Sequence, residues 1–146
     1  MKKLKLFLFF IVSVMTSFLL ASIAGTQIIL ADIKSFGLGV SFSDRVSATL
    51  HDIIGLGPSL SIMIGAAFLV AFIVAALCYR FLGGKRTYWY LAAGFTSIPA
   101  TLLLIKTLMG GTLFAAARGG LGMLLIAICG LAGGWVFARL TEKRGL

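Results

Sequence analysis

The sequence predicts an all-α, polytopic membrane protein: a four-helix transmembrane bundle with a short extracytoplasmic amphipathic helix. Three observations predict it. Four stretches, 6–31, 55–79, 87–105 and 119–138, carry no charged residue. A hydrocarbon core about 30 Å thick needs about 20 helical residues to cross it, so each stretch is long enough. Apolar residues make up 60% of the chain and mean hydropathy is +1.11, against roughly 45–50% apolar residues in soluble domains. The 13 Lys/Arg and 4 Asp/Glu fall between the stretches or at their edges. A soluble helix would instead carry a charged stripe along its whole length. The 146 residues leave room for a single transmembrane domain. Its spans are expected near 6–31, 55–79, 87–108 and 117–138, with one sizeable loop at 32–54.

Charge gives these spans a direction. Lys2, Lys3 and Lys5 precede the first, Arg80, Lys85 and Arg86 separate the second from the third, and Arg139, Lys143 and Arg144 follow the fourth. The other side has Lys34, Arg45, Lys106 and Arg118, together with Asp32, Asp44 and Asp52. An excess of Lys/Arg in short loops marks the cytoplasm. Both termini are therefore expected inside, in a cell membrane of the bacterial inner-membrane type. The net charge of +9 is spread over segments too short to form a nucleic-acid patch, so no nucleic-acid partner is expected. The basic residues read as topology signals and contacts for anionic lipid headgroups.

The first span begins like a signal peptide, with Ser22-Ile-Ala24 as a small-residue cleavage motif. The apolar run continues to Ala31, too long for that class, so a retained helix is expected. Phe7, Phe9 and Phe10 suit a lipid-facing anchor. Ser13, Ser17 and Ala21 recur every four residues and make a smooth face for a neighbouring helix. In the loop, Phe42, Val46, Leu50, Ile53 and Ile54 fall on one helical face. Asp44, Arg45, Ser47, His51 and Asp52 fall opposite, with Ser43 as a candidate cap. This pattern predicts a short helix on the outer interface or over the outer end of the bundle.

Pro58 suits the first turn of the second span, which carries Ser61 and Gly65 four residues apart. Gly83-Gly84 is a tight turn, and Tyr88-Trp89-Tyr90 reads as part of an interfacial aromatic belt. Pro99 predicts a kink in the third span, with Thr96 and Ser97 placed to bond freed carbonyls. The segment 110–120 is too apolar for a hydrated loop. It predicts an early start to span four or a short re-entrant piece. Gly122, Gly130 and Gly134 share one row of the fourth span, and Gly130-x-x-x-Gly134 has the spacing that lets helix backbones touch. Cys78 and Cys129 are expected to be unpaired core residues at different depths.

Chemistry has few footholds. His51 is the only histidine, which excludes a histidine-built zinc or haem site within the chain. The spans contain no carboxylate, so a proton-coupled pump is disfavoured. No metal, no cofactor and no catalytic residue is expected. The one candidate site is a charged cluster at the outer rim. Lys106, Arg118, Arg45 and His51 are candidates for an anion or lipid headgroup, and Asp32 and Asp52 for their ion-pair partners. The simpler expectation is that Lys106 extends to the interface and pairs with an aspartate. The sequence favours a non-catalytic subunit or lipid-interacting scaffold of a membrane assembly. The alternative is an oligomeric channel or transporter for a small solute, anions included. Membrane lipids, further copies of the chain or other membrane subunits are the expected partners.

Overall fold

The structure, a computed structural model, describes residues 2–37, 39, 41–55, 57–110 and 119–143. Arg118, Arg144 and the expected re-entrant piece after Gly110 lie outside them. Among the described residues the chain is all-helical: α1 (Lys2–Ser35), α2 (Phe42–Gly55), α3 (Gly57–Leu82), α4 (Arg86–Met109) and α5 (Gly120–Glu142). Four of these, α1, α3, α4 and α5, are long and apolar enough to cross a membrane.

The helices run past the charge-free stretches. α1 has 34 residues, about 51 Å at 1.5 Å per residue. It starts at the N-terminal lysines and continues through Asp32 and Lys34. Charge ends a hydrophobic run without ending a helix, because lysine is a good helix former and one aspartate costs a long helix less than about 1 kcal/mol.

The centre of the bundle is α5. Half of its apolar window is buried, against a third for α1 and 22% for α3 and α4. It packs against both α1 and α4, and α3 closes the fourth side against α1 and α4. Leucine and lipid tails are equally apolar, so close backbone approach and interhelical hydrogen bonds hold such a bundle together. Both are present. A Cβ on Gly94 of α4 would collide with the Gly130 carbonyl oxygen and stand 3.0 Å from the Gly134 Cα. A Cβ on Gly134 would collide with the Tyr90 carbonyl oxygen. The partner of the Gly130-x-x-x-Gly134 face is therefore α4 of the same chain. Gly133, 100° around the helix, faces the other way, and its Cβ would collide with Ser17 Oγ and lie 2.7 Å from the Phe68 ring. Consecutive glycines thus serve two neighbours. Gly122 is buried on the same helix. Gly65 plays no such part, since a Cβ there would meet only Val14 at 4.0 Å.

An aromatic cluster fills the end that carries the termini. Phe72 stacks on Phe68 and Phe137 at centroid distances of 4.9 and 4.6 Å. Tyr90 and Phe10 meet it edge-on at 5.5 and 6.3 Å. These rings come from α1, α3, α4 and α5, so Lys3, Arg86 and Glu142 gather at one end. Residues two apart on a helix point about 200° apart, and Tyr88 and Tyr90 accordingly divide. Tyr88 is exposed, whereas Tyr90 is buried in the cluster rather than in an interfacial belt. The turn between α3 and α4 has Gly83 and Gly84 at φ 71° and 90°, a region open to glycine, and the Trp89 ring N–H donates to the Gly83 carbonyl at 2.9 Å.

α4 stays helical through Pro99. The Thr96 hydroxyl bonds the Ala92 carbonyl at 2.8 Å and Ser97 bonds that of Gly94 at 3.1 Å. Neither reaches the Phe95 carbonyl that proline leaves without its usual donor. α4 ends on Gly110, a left-handed cap whose N–H bonds the Lys106 carbonyl at 3.0 Å.

Candidate functional site

Two polar sets matter: the bonds inside the bundle and the charged residues at the rim away from the termini. Inside, Ser13 and Ser17 are fully buried. The Ser13 hydroxyl donates to the Gly133 carbonyl at 2.6 Å and that of Ser17 to the Cys129 carbonyl at 3.0 Å. Both pairs are four residues apart on antiparallel helices, so one face of α1 is stitched twice to α5. Thr141, also buried, bonds the Phe137 carbonyl at 2.7 Å. Among the described residues no buried side-chain polar atom lacks a partner.

At the rim, α2 is set by its own sequence. Ser41 caps it, two residues before the expected Ser43. The Ser41 hydroxyl accepts from the Asp44 N–H at 3.2 Å, and the Asp44 carboxylate accepts from the Ser41 N–H and hydroxyl at 2.9 and 2.7 Å. This is the reciprocal pairing of a capping box, with Asp in the Glu/Gln position. The Ser41 hydroxyl first, and its N–H second, hold the Asp44 carboxyl below its ordinary pKa of 3.8.

Arg45 and Asp52 are seven residues apart and face the bundle. The Arg45 guanidinium donates to Gln27 Oε1 at 2.6 Å. The Thr26 hydroxyl lies 2.7 Å from Asp52 Oδ2 and 2.9 Å from the Ser22 carbonyl, donating to one at a time. Neighbouring residues of α1 thus grip α2 at two points. With this side turned inward, Phe42, Val46, Leu50 and Ile54 form an exposed flank, Phe42 and Ile54 at 82% and 77%. Ser47 and His51 take the remaining, solvent-directed side. α2 therefore has three faces where the sequence suggested two.

The rim residues do not all meet. Lys106 is exposed on the last turn of α4, where its charge suits the helix dipole. Asp32 is exposed near the end of α1, and its backbone carbonyl accepts from the Ser35 hydroxyl at 2.6 Å. Among the described residues no ion pair joins Lys106, Arg45 or His51 to Asp32 or Asp52, and no three His, Cys, Asp or Glu gather as a metal site. Thr26 and Gln27 were the overlooked partners. Their signal is a polar pair inside an otherwise apolar run.

Comparisons with known protein families, characterised proteins and solved structures find no match to this chain.

Proposed function

We propose that the chain is a non-catalytic, lipid-embedded scaffold of a cell membrane, with α2 on the outer surface and both termini in the cytoplasm. One observation carries this reading: the buried hydroxyls are spent on fastening helices to each other and to themselves. The Gly94, Gly130 and Gly134 backbones touch along α4 and α5, and Phe68, Phe72 and Phe137 fill the end that carries the termini. A conducting path needs polar groups aimed at a lumen, and these groups are aimed at backbone carbonyls. The nine basic residues at the end bearing the termini, against four at the other, support the orientation.

Reconstitution tests the reading. Purified protein in liposomes loaded with chloride, phosphate and a small organic acid should release them no faster than protein-free liposomes. Saturable release that Lys106→Met abolishes would replace the scaffold with the oligomeric channel.

A further inference from the structure

An apolar groove on the lipid-facing surface lies between α1 and α3, at the end bearing the termini. It encloses about 630 Å³, within the 300–1,000 Å³ typical of ligand pockets. Phe7 and Phe10 form one wall, Leu69 and Ile73 the other. Its floor is closed by the buried rings of Phe72 and Tyr90. The walls are open on the outside: Phe7, Leu69 and Ile73 are each more than half exposed. The groove therefore opens toward lipid tails.

The charged residues that line it are cations, and the Glu142 carboxylate stands nearby, 3.4 Å from the Thr87 hydroxyl, outside the lining. Lys3, in the first turn of α1, and Arg86, the first residue of α4, both line it. Arg86 lies over the Tyr90 ring, 5.3 Å from its centroid, which fixes the guanidinium above the aromatic floor. The positive end of the α4 dipole adds to the two charges. From residue 69 to residue 76 the groove runs about 10 Å along α3 at 1.5 Å per residue. That is deep enough for the upper part of an acyl chain, with its headgroup at the level of Lys3 and Arg86.

We propose that this groove binds one anionic diacyl phospholipid, its phosphate between Lys3 and Arg86 and one acyl chain along Phe7, Phe10, Leu69 and Ile73. The charge pattern selects the headgroup. Arginine forks onto phosphate oxygens, the lysine adds a second point charge, and the apolar trough excludes a ligand without a hydrocarbon chain. The site deepens the scaffold reading and rests on the chain being embedded in lipid. It gives the scaffold a lipid that it carries in register with the cytoplasm-facing end.

The test uses the full chain in mild detergent, titrated with phosphatidylglycerol or phosphatidylcholine and followed by native mass spectrometry. One phosphatidylglycerol should bind tightly and phosphatidylcholine weakly. A juxtamembrane cation contributes about 1 kcal/mol toward an anionic lipid. Lys3→Gln and Arg86→Gln should thus each weaken phosphatidylglycerol about fivefold, and the double variant about thirtyfold. Arg86→Lys should recover part of the loss. Ile73→Trp and Leu69→Trp fill the trough and should displace the lipid with both charges intact. Their folding is checked by helical circular dichroism. Lys143→Gln, a charge at the same end outside the groove, should leave binding unchanged. Equal binding of the two lipids, an equal effect of Lys143→Gln, full retention in both folded tryptophan variants, or glycerol phosphate binding as tightly as the intact lipid would each overturn the site. Solute release is read separately, from protein reconstituted in liposomes. Release with selective lipid retention would overturn the scaffold and leave the site, and the reverse pattern would overturn the site and leave the scaffold.

Discussion

Alanine at Gly94 tests how α4 and α5 are held. Its methyl carbon would collide with the Gly130 carbonyl oxygen and lie 3.0 Å from the Gly134 Cα and 3.1 Å from the Gly130 carbonyl carbon. Carbon atoms prefer separations of about 3.5–4.0 Å, so the helices are too close by about 0.5–1 Å. All three obstacles are backbone, and no side-chain rotation relieves them. α4 must back away and loosen Ile98 from its seat against Gly130. Overpacking of this kind costs about 1–3 kcal/mol, while the better helix propensity of alanine returns at most about 1 kcal/mol. The expected net loss is about 1–2 kcal/mol. Gly65→Ala is the control, because its methyl would meet only Val14 at 4.0 Å and should leave stability unchanged or slightly raised. Unfolding by sodium dodecyl sulfate in mixed micelles measures both. Trp89 on α4 and Trp135 on α5, the only two tryptophans, report the transition by fluorescence. Stability of Gly94→Ala within about 0.5 kcal/mol of the parent, the scatter of neutral surface changes, would refute the backbone contact. So would an equal loss in Gly65→Ala.

Three further outcomes follow from the geometry. Ser13→Ala with Ser17→Ala removes both hydroxyl bridges from α1 to α5. At about 0.6 kcal/mol per interhelical bond in a membrane, the pair should lower stability by about 1 kcal/mol in the same unfolding assay. The Asp44 carboxyl should titrate below 3.8 by carbon-13 NMR, and Ser41→Ala should move it back up. A depressed folded pKa gives the α2 cap a stabilising contribution that is present above the unfolded value and lost as pH falls through the folded one. The start of α2 should therefore fray only below about pH 4, the ordinary range of an aspartate. In a Cys78→Ser, Cys129→Ala background, His51→Cys should react with an impermeant maleimide on intact cells. Lys143→Cys should react only after permeabilisation, and the reverse pattern would invert the proposed orientation.

The four crossing helices were legible because hydrocarbon excludes charge, and blocks such as 6–31 and 55–79 record that exclusion directly. Helix ends were not, because Asp32 and Lys34 continue α1 beyond the charge-free run without breaking it. The Gly130-x-x-x-Gly134 face was readable, but its partner was not. Gly94 stands alone in its helix, and only the roughly 1 kcal/mol that glycine costs there marks it as a place where another backbone passes. The rim failed to read for a geometric reason. Sequence position gives depth along a helix, so Lys106, Asp52 and Asp32 shared a level, but it does not give the rotation of one helix about the bundle. Arg45 and Asp52 turned toward Gln27 and Thr26 instead. Capping chemistry shows the same limit at the scale of two residues: Ser41 and Ser43 both suit the cap, and the spacing to Asp44 selects Ser41.

A cross-link between α1 and α5 tests most directly whether α5 is the centre of one self-contained bundle. In a Cys78→Ser background, Ser17→Cys would stand beside the backbone of native Cys129, whose carbonyl the Ser17 hydroxyl now bonds at 3.0 Å, within one helical turn of the Cys129 side chain. Mild oxidation or mercury(II) in native membranes should join the two within one chain, as seen by peptide mapping. Thr16→Cys, 100° around α1 and bonded to its own helix through the Val12 carbonyl, should not join. Failure of Ser17→Cys to link, linkage only between separate chains, or equal linkage from Thr16→Cys would contradict the packing of α1 on α5.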